Sequence, residues 1–212
     1  MSNKTVLDVG TGTGQYARRF LNRGSAQRAV GVDFSKNMLR EGRLNARNIE
    51  NLNVLAMDGC KLGFRDQTFD IVTAIGLLEY VQDPSPFLKE FHRVLKPGGK
   101  ILLTLHNKRF GSLTGLFASD LQWERSYYSK DKIDSHLTDN GFRLQKTTTT
   151  MFFHHSFWIP FKIMERLGLH TLTSIWTTVF SVTEQLLRKL PLLEEMGKEW
   201  IVLAEKRNHQ HD

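Results

Sequence analysis

The sequence predicts one α/β domain over residues 1–212, built on an open, doubly wound sheet with helices on both faces. Three observations indicate this class. Apolar runs of strand length alternate with stretches of helical periodicity through most of the chain. Glycines or acids follow several of these runs, as at Gly10 and Asp33. The 212 residues are enough for a single substantial core. Strands separated by helices are typical of parallel βαβ units.

Seven segments have the composition of strands. The first, TVLDVG, places apolar residues on both faces of the strand, as expected in a parallel sheet covered on both sides. The last, EWIVLAEK, has five apolar residues between charged ones, a length and composition suited to a strand. The predicted strands cover residues 5–10, 28–33, 52–58, 69–76, 100–107, 142–152 and 199–206.

The first two helices are predicted between the first three strands. QYARRFLNRG, residues 15–24, has helical periodicity and ends at Gly24, a residue suited to the left-handed conformation that closes helices. The second helix carries Met38 and Leu39, and Ser35 stands where a capping side chain is preferred.

Two further helices carry start and stop signals. In PSPFLKEFHRVLKPGG, Ser85 is the expected cap and Pro86 suits the first helical position. The apolar residues of this helix share one face. The helix is expected to end at Pro97, Gly98 and Gly99. The fourth helix, within residues 129–141, has Ser129 as its cap and Gly141 as its stop.

Two long segments do not fit the alternation. Residues 108–128 form an aromatic-rich connection, and residues 153–198 are predicted to form two helices inserted between the last two strands. Insertions of this length commonly serve as lids or substrate-binding elements. The bulky apolar residues there favour packing onto the core, with an apolar acceptor pocket or a membrane contact as the alternative. They are Phe152, Phe153, Phe157, Trp158, Phe161, Ile175, Trp176 and Phe180.

Composition restricts the class of protein. Apolar content of 40% and charged content of 24% are ordinary for a globular protein, and the longest uncharged run, residues 167–183, carries many hydroxyls and predicts a helix, not a membrane span. Cys60 is the only cysteine, so a reducing cytosol is expected. The net charge of +7 permits contact with phosphates. Many cations fall on two helices, which favours a solvated helix face over a nucleic-acid patch. They are Arg18, Arg19, Arg23, Lys36, Arg40, Arg43 and Arg47.

The stretch VLDVGTGTG predicts a ligand-binding turn. Gly10, Gly12 and Gly14 allow the backbone to turn tightly and a ligand to approach without a Cβ in the way. The dinucleotide fingerprint requires GxGxxG, and here the spacing is GxGxG. Asp8 precedes the turn, and a carboxylate there opposes a pyrophosphate but suits a cofactor with an ammonium and a sulfonium.

Carboxylates also end the second and third predicted strands. Asp33 is placed to accept both hydroxyls of a ribose, and Asp58 is placed within reach of an adenine amino group. Because ligands of open α/β sheets bind beyond the carboxyl ends of the strands, these acids and the glycine turn are expected at one edge. Together they predict an adenosine-bearing cofactor.

Four motifs in order, DVGTGTG, GVDFSKNML, AMDG and FDIVTAIGLLEYVQDPSPFLKEFHRVLKPGGKILLT, resemble those of class I S-adenosylmethionine-dependent methyltransferases. Within that class the chain is similar to the small-molecule group around the quinone-biosynthesis methyltransferases. The resemblance covers roughly residues 5–107 and is specific for cofactor and fold. It implies a Rossmann-like, seven-stranded sheet of order 3-2-1-4-5-7-6 with an antiparallel seventh strand.

The resemblance also implies roles for individual residues. Asp8 lies near the amino group of the cofactor's methionine, which passes over the turn from Gly10 to Gly14. Asp33 binds the ribose. The other implied contacts are with the adenine and the methionyl side, from Phe34, Met38, Asp58, Gly59, Cys60, Gly76 and Leu77. Members of the family usually carry a segment before the first strand, whereas four residues precede it here. Either the chain is shortened or the later insertions cover the site.

The acceptor side is predicted from the fourth and fifth strands. The fifth ends at His106, the leading candidate for a general base, with a hydrogen-bonded structural histidine as the alternative. Glu79 follows the fourth strand and either orients the acceptor or is a loop charge. No metal site is expected, since His154 and His155 lack companions at ligand spacing.

The methyl acceptor is predicted to be a small apolar or aromatic molecule. An RNA or protein methyltransferase is a second hypothesis, supported by the net charge but lowered by the absence of an NPPY-type sequence after the fourth strand. A non-catalytic protein that keeps the fold as a scaffold is a third.

Overall fold

The computed structural model describes residues 3–108, 126–150, 166–167 and 199–207. Its centre is one sheet in the order β3-β2-β1-β4-β5-β8-β7, with the short β6 paired to β5. The strands are β1 (Thr5–Val9), β2 (Arg28–Asp33), β3 (Leu52–Ala56), β4 (Phe69–Ala74), β5 (Leu95–Asn107), β6 (Tyr127–Tyr128), β7 (Phe142–Thr150) and β8 (Glu199–Lys206).

The strand order confirms the predicted fold. The predicted sixth and seventh strands are β7 and β8, and β8 runs antiparallel to both of its neighbours, β5 and β7. The first five strands are parallel. β6 makes an eighth strand, and it pairs with the end of β5 through His106 and Asn107. A two-residue strand is too short to have a sequence pattern of its own.

The helices are α1 (Gln15–Asn22), α2 (Lys36–Ala46), α3 (Ser85–Val94) and α4 (Lys130–Asp139), with a 3₁₀ turn at Leu78–Tyr80. Ser129 caps α4 as predicted, since its side chain accepts a hydrogen bond from the Lys132 N–H. The prediction that Ser85 caps α3 is wrong. Ser85 is the first helical residue, and its N–H donates to the Asp83 carboxylate at 2.9 Å.

β5 begins five residues before the predicted strand. Leu95 pairs with Phe69 of β4, and the register then shifts before Ile71 pairs with Lys100. The irregularity accommodates Gly98, whose φ of +67° is left-handed. The Pro-Gly-Gly sequence therefore forms an irregular strand entry, because α3 has already ended at Val94.

The last strand secures the end of α3. In β8 the buried residues alternate with half-buried ones. The Lys206 Nζ donates to the carbonyl oxygens of His92 and Leu95, at 2.7 and 2.8 Å. These oxygens lie at the C-terminal end of α3, where the last carbonyl groups of a helix have no hydrogen-bond partner within the helix. Burial lowers the pKa of Lys206. Residues more than 100 positions apart in sequence thus close one helix terminus.

Most of both predicted lid segments lies outside the described residues. The described end of the first, residues 126–128, lies on the sheet: the Ser126 N–H donates to the Glu79 carbonyl at 2.8 Å, and Tyr128 is buried. The lid role of residues 108–128 and 153–198 stays a prediction. Among the described helices, none combines the length and the apolar character needed to cross a bilayer.

Candidate cofactor and acceptor site

The glycine turn between β1 and α1 is built from left-handed backbone. Gly10, Gly12 and Gly14 have φ angles of +72°, +55° and +78°. Residues with a Cβ rarely adopt such angles, which explains the glycines at alternate positions. The N–H groups of Gly10 and Thr11 both donate to the Val32 carbonyl, at 2.8 and 3.0 Å. The turn is therefore fixed to the end of β2.

Two of these glycines face different surroundings. A Cβ at Gly10 would lie 3.1 Å from the Leu77 side chain, so Gly10 allows Leu77 to pack closely on the turn. A Cβ at Gly12 would meet nothing within 4 Å. Gly12 thus lines open space at the carboxyl end of β1, where a ligand can approach its bare backbone.

Asp33 connects the glycine turn to the start of α2. Its Oδ2 accepts from the Gly12 N–H and its Oδ1 from the Ser35 N–H, each at 2.9 Å. Each carboxylate oxygen carries a second acceptor position, so the residue still has two sites for the hydroxyls of a ribose. The side chain is half-buried at the strand end. Its ribose-binding role stays a prediction that this position supports.

Asp8 lies beneath the turn, only 1% exposed. Its two oxygens accept from the hydroxyls of Thr11 and Thr73, at 2.7 and 2.6 Å. Burial raises the pKa of Asp8, against the lowering effect of these hydrogen bonds. The carboxylate thus holds the turn to β4 from below. Contact with the ammonium of a cofactor stays a prediction, and a cation there would favour its ionised form.

The buried Asp8 makes stability depend on pH in a defined direction. Its raised pKa means that the native state binds more protons than the unfolded state above the ordinary value of 3.8. Its ionisation therefore costs stability as the pH rises through this window. Relative to Asp8→Asn, the unchanged protein should gain unfolding free energy as the pH falls from neutral toward 4.5.

Urea unfolding of both proteins at several pH values measures this difference. Asp134→Asn, which changes an exposed carboxylate on α4, is the control and should show no comparable change relative to the unchanged protein. A difference between Asp8→Asn and the unchanged protein that stays constant with pH would contradict the burial argument.

The predicted adenine contacts lie on the segments that follow β2 and β3. Phe34 is 82% exposed and Met38 is 48% exposed, which is unusual for such large apolar side chains and fits a face that covers a planar ring. Asp58 is exposed, and its Oδ1 accepts from the Cys60 N–H at 2.9 Å. A Cβ at Gly59 would lie 2.6 Å from the ring of Phe87, so this glycine is required by packing.

Cys60 is half-buried in the loop after β3. Burial raises the pKa of its thiol, and the Asp58 carboxylate adds to the effect. A thiolate is therefore disfavoured at Cys60.

The turn after β4 joins the cofactor side to the acceptor side. The Gly76 N–H donates to the Thr104 hydroxyl of β5 at 2.8 Å, and its φ is +72°. A Cβ at Gly76 would lie 3.9 Å from the Glu79 Oε1. Gly76 and Leu77 therefore lie between the glycine turn, which Leu77 contacts, and the first candidate acceptor residue.

Glu79 and His106 form a buried pair. The His106 Nε2 lies 2.6 Å from the Glu79 Oε2, and both side chains are nearly inaccessible to solvent. The Tyr127 ring stacks on the imidazole with centroids 5.7 Å apart. The structure thus brings together the two residues that the sequence analysis singled out for catalysis, one from the 3₁₀ turn and one from the end of β5.

A third member of this cluster, Glu199, was not predicted from the sequence. It pairs with His106 across β5 and β8. Ligand atoms of Glu79, His106 and Glu199 all lie within 4.8 Å of one another, a spacing at which one imidazole and two carboxylates can hold a metal ion. The sequence shows that residues 199–206 have the pattern of a strand. It does not show the register of that strand with β5. His154 and His155, considered earlier, lie outside the described residues.

The crevice fits S-adenosylmethionine. The bare backbone at Gly12 offers room beside the turn, and Asp33 has acceptor positions for ribose hydroxyls. The exposed Phe34 and Met38 offer apolar surface for adenine. A dinucleotide pyrophosphate would instead meet the carboxylate of Asp8 below the turn.

Comparison with known proteins identifies the same region. A family described as "Methyltransferase domain" matches residues 7–103. The demethylmenaquinone methyltransferase of Staphylococcus epidermidis is 40% identical over 98 residues, 46% of this chain and 41% of that protein. That of Staphylococcus saprophyticus is 38% identical over 102 residues, 48% of this chain and 44% of that protein. The matches span less than half the length of these relatives.

Solved structures agree in fold over nearly the whole chain. A SAM-dependent methyltransferase from Methanosarcina mazei has a TM-score of 0.64 and 17% identity, covering 98% of this chain and 94% of its own. The cyclase SpnF has a TM-score of 0.66 and 23% identity, covering 97% and 76%. At these identities the likeness concerns the fold. The fold over nearly the whole chain is therefore that of S-adenosylmethionine-dependent methyltransferases, residues 7–103 match a methyltransferase domain, and the first half of the chain resembles the quinone-biosynthesis members.

Proposed function

We propose that the protein transfers the methyl group of S-adenosylmethionine to a small acceptor with an apolar or aromatic body. The observation that carries this proposal is the continuity of the site. The open backbone at Gly12 leads through Leu77 and Gly76 to the buried pair of Glu79 and His106. A cofactor crevice and a proton-accepting pair therefore share one edge of the sheet.

On the cofactor side, side chains and backbone groups of this chain bind and orient the cofactor. Asp33 binds the ribose hydroxyls while keeping the Gly12 N–H in place. Phe34 and Met38 cover the adenine, and Asp58 with the backbone of Gly59 or Cys60 meets its edge. Asp8 provides negative charge below the turn for the ammonium. The cofactor supplies a methyl group on a sulfonium, which the turn aligns toward the acceptor.

On the acceptor side, the buried pair handles the proton. As the nucleophilic carbon, oxygen or nitrogen of the acceptor forms its bond to the methyl carbon, the carbon–sulfur bond breaks and the acceptor's proton passes to the His106 imidazole. Glu79, 2.6 Å from the Nε2, stabilises the imidazolium that results. Exclusion of water from both side chains strengthens this interaction.

The acceptor class is inferred from two exposed tyrosines next to this pair. Tyr80 follows Glu79 in the sequence, and Tyr127 stacks on His106. Exposed aromatic rings there favour a planar or apolar acceptor. The relatives named demethylmenaquinone methyltransferase are consistent with such an acceptor. We place the protein in the cytosol, where its single thiol stays reduced.

Calorimetry with S-adenosylhomocysteine tests the cofactor half of this proposal. We expect one site per chain, with a Kd on the order of 1–100 μM. NAD titrated in the same way should give no binding, because the negative charge of Asp8 beneath the turn disfavours its pyrophosphate. Absence of S-adenosylhomocysteine binding at millimolar concentration, or preferential binding of NAD, would overturn the proposal.

The second candidate function is that of a protein that keeps the methyltransferase fold but does not transfer a methyl group. The cyclase SpnF shares this fold, so the fold alone does not establish methyl transfer. Binding of S-adenosylhomocysteine without turnover across a panel of quinols, phenols and amines would favour this candidate. Methylation of tRNA or of a protein, in place of the panel, would favour a macromolecular acceptor.

A further inference from the structure

A row of cations covers one side of α2. Lys36, Arg40, Arg43 and Arg47, together with Leu44, line an open groove of about 430 Å³. At 100° per residue these five positions fall within an arc of about 100°, on a different side from the buried Leu39 and Gly42. Glu41, the acid of this helix, falls outside the arc. We call these five residues the α2 cation row.

No acid in the described part of the chain forms an ion pair with the α2 cation row. Within the described ranges, the Lys and Arg ion pairs shorter than 4.0 Å involve Arg93, Lys96, Lys100 and Arg143. The four cations of the row are exposed and take part in none of them. The row's one side-chain hydrogen bond to another described residue runs from the Arg43 Nε to the Val54 carbonyl, at 3.4 Å. Four like charges are thus held on one rigid helix, available to an external anion.

An apolar side chain lies within the row. Leu44 is 64% exposed between cations one turn before and one turn after it. The row has no aromatic side chain on which a nucleobase could stack. Cations flanking an exposed aliphatic residue on a helix match the surface of an anionic bilayer, where phosphates meet the cations and the aliphatic group enters the interface.

We propose that the α2 cation row docks the protein on anionic phospholipid membranes. α2 packs on β3, the edge strand of the sheet, and no described strand covers its outer side. The row begins at Lys36, three residues after Asp33, and so starts at the cofactor edge. The consequence for catalysis rests on the proposed function: docking places the crevice beside the bilayer, where apolar acceptors accumulate.

Vesicle co-sedimentation of the full chain tests this proposal. The probes are phosphatidylcholine vesicles with and without about one third phosphatidylglycerol. We expect binding only to the anionic vesicles, and weaker binding at high salt, because screening shortens the reach of the charges. Removing one cation from the row should reduce the affinity for anionic vesicles about fivefold, because each cation near the membrane surface contributes about 1 kcal/mol.

Two matched variants distinguish an effect of the α2 cation row from an effect of the protein's net charge. The test variant changes Lys36, Arg40, Arg43 and Arg47 to glutamine. The control changes four exposed lysines elsewhere to glutamine, removing the same charge. These are Lys61, Lys89, Lys130 and Lys146. The test variant should lose binding by more than a hundredfold, and the control should keep it within about fivefold. Leu44→Ser should weaken binding at constant charge.

Three results would overturn the proposal. They are absence of binding to anionic vesicles at low salt, equal losses in both variants, and row-dependent binding of bulk tRNA without vesicle binding. S-adenosylhomocysteine calorimetry on both variants keeps the tests apart. Cofactor binding with no vesicle binding overturns only the docking surface, whereas vesicle binding with no cofactor binding overturns only the proposed function.

Discussion

Gly12→Ala is expected to abolish S-adenosylhomocysteine binding while leaving the protein folded. Gly12 has a φ of +55° and faces open space, so the added methyl group meets no protein atom within 4 Å. It would instead stand where the ligand passes over the turn. We expect affinity to fall by more than a hundredfold, since displacing the ligand from the turn also loosens its contact with Asp33.

Gly24→Ala is the matched control for this experiment. Gly24 follows α1 with a φ of +65°, and a Cβ there also meets nothing within 4 Å. Both variants should lose about 1–2 kcal/mol of unfolding free energy, the cost of a left-handed residue with a side chain. Only Gly12→Ala should lose ligand binding in calorimetry. Equal affinities in the two variants would place the ligand elsewhere.

His106→Gln is expected to lower kcat by about 10²–10⁴-fold without changing cofactor affinity. The imidazole is buried against Glu79, and glutamine keeps a polar group there but cannot accept the acceptor's proton at neutral pH. Glu79→Gln should give a smaller decrease, because it removes only the charge that stabilises the imidazolium. Single-turnover methyl transfer to the best acceptor of the panel measures both effects.

Two controls define what this result means. His136→Gln changes a half-buried histidine of α4 outside the cluster, and it should leave kcat within about twofold. Full activity after treatment with EDTA is expected of a proton-accepting pair. Loss of activity that added zinc restores would instead assign Glu79, His106 and Glu199 to a metal ion. Unchanged kcat in His106→Gln would remove the histidine from the reaction.

The sequence predicted the strands that local pattern determines. β2 and β8 have the predicted bounds, because turn signals flank both and their composition is that of strands. The start of β5 escaped prediction, since Pro97 and two glycines resemble a stop signal and only pairing with Phe69 shows that they enter a strand. β6 escaped because two tyrosines have no period.

The site was predictable where one motif contains its parts. Gly10, Gly12 and Gly14 have the left-handed angles that their spacing suggested. The surroundings of Asp8 were not evident, because Thr73, whose hydroxyl donates one of the two side-chain hydrogen bonds that Asp8 accepts, is 65 residues away. Glu199 was missed for the same reason: antiparallel register places it opposite His106, and no local pattern contains that register.

The position of β8 has a consequence for how the chain is made. β8 lies between β5 and β7, so the edge of β5 stays unpaired on that side until residues 199–206 leave the ribosome. About 100 residues separate the end of β5 from that point, which at 5–20 residues per second is roughly 5–20 s of synthesis. The nascent chain therefore exposes an apolar strand edge for that time, and chaperone capture during translation should concentrate on it.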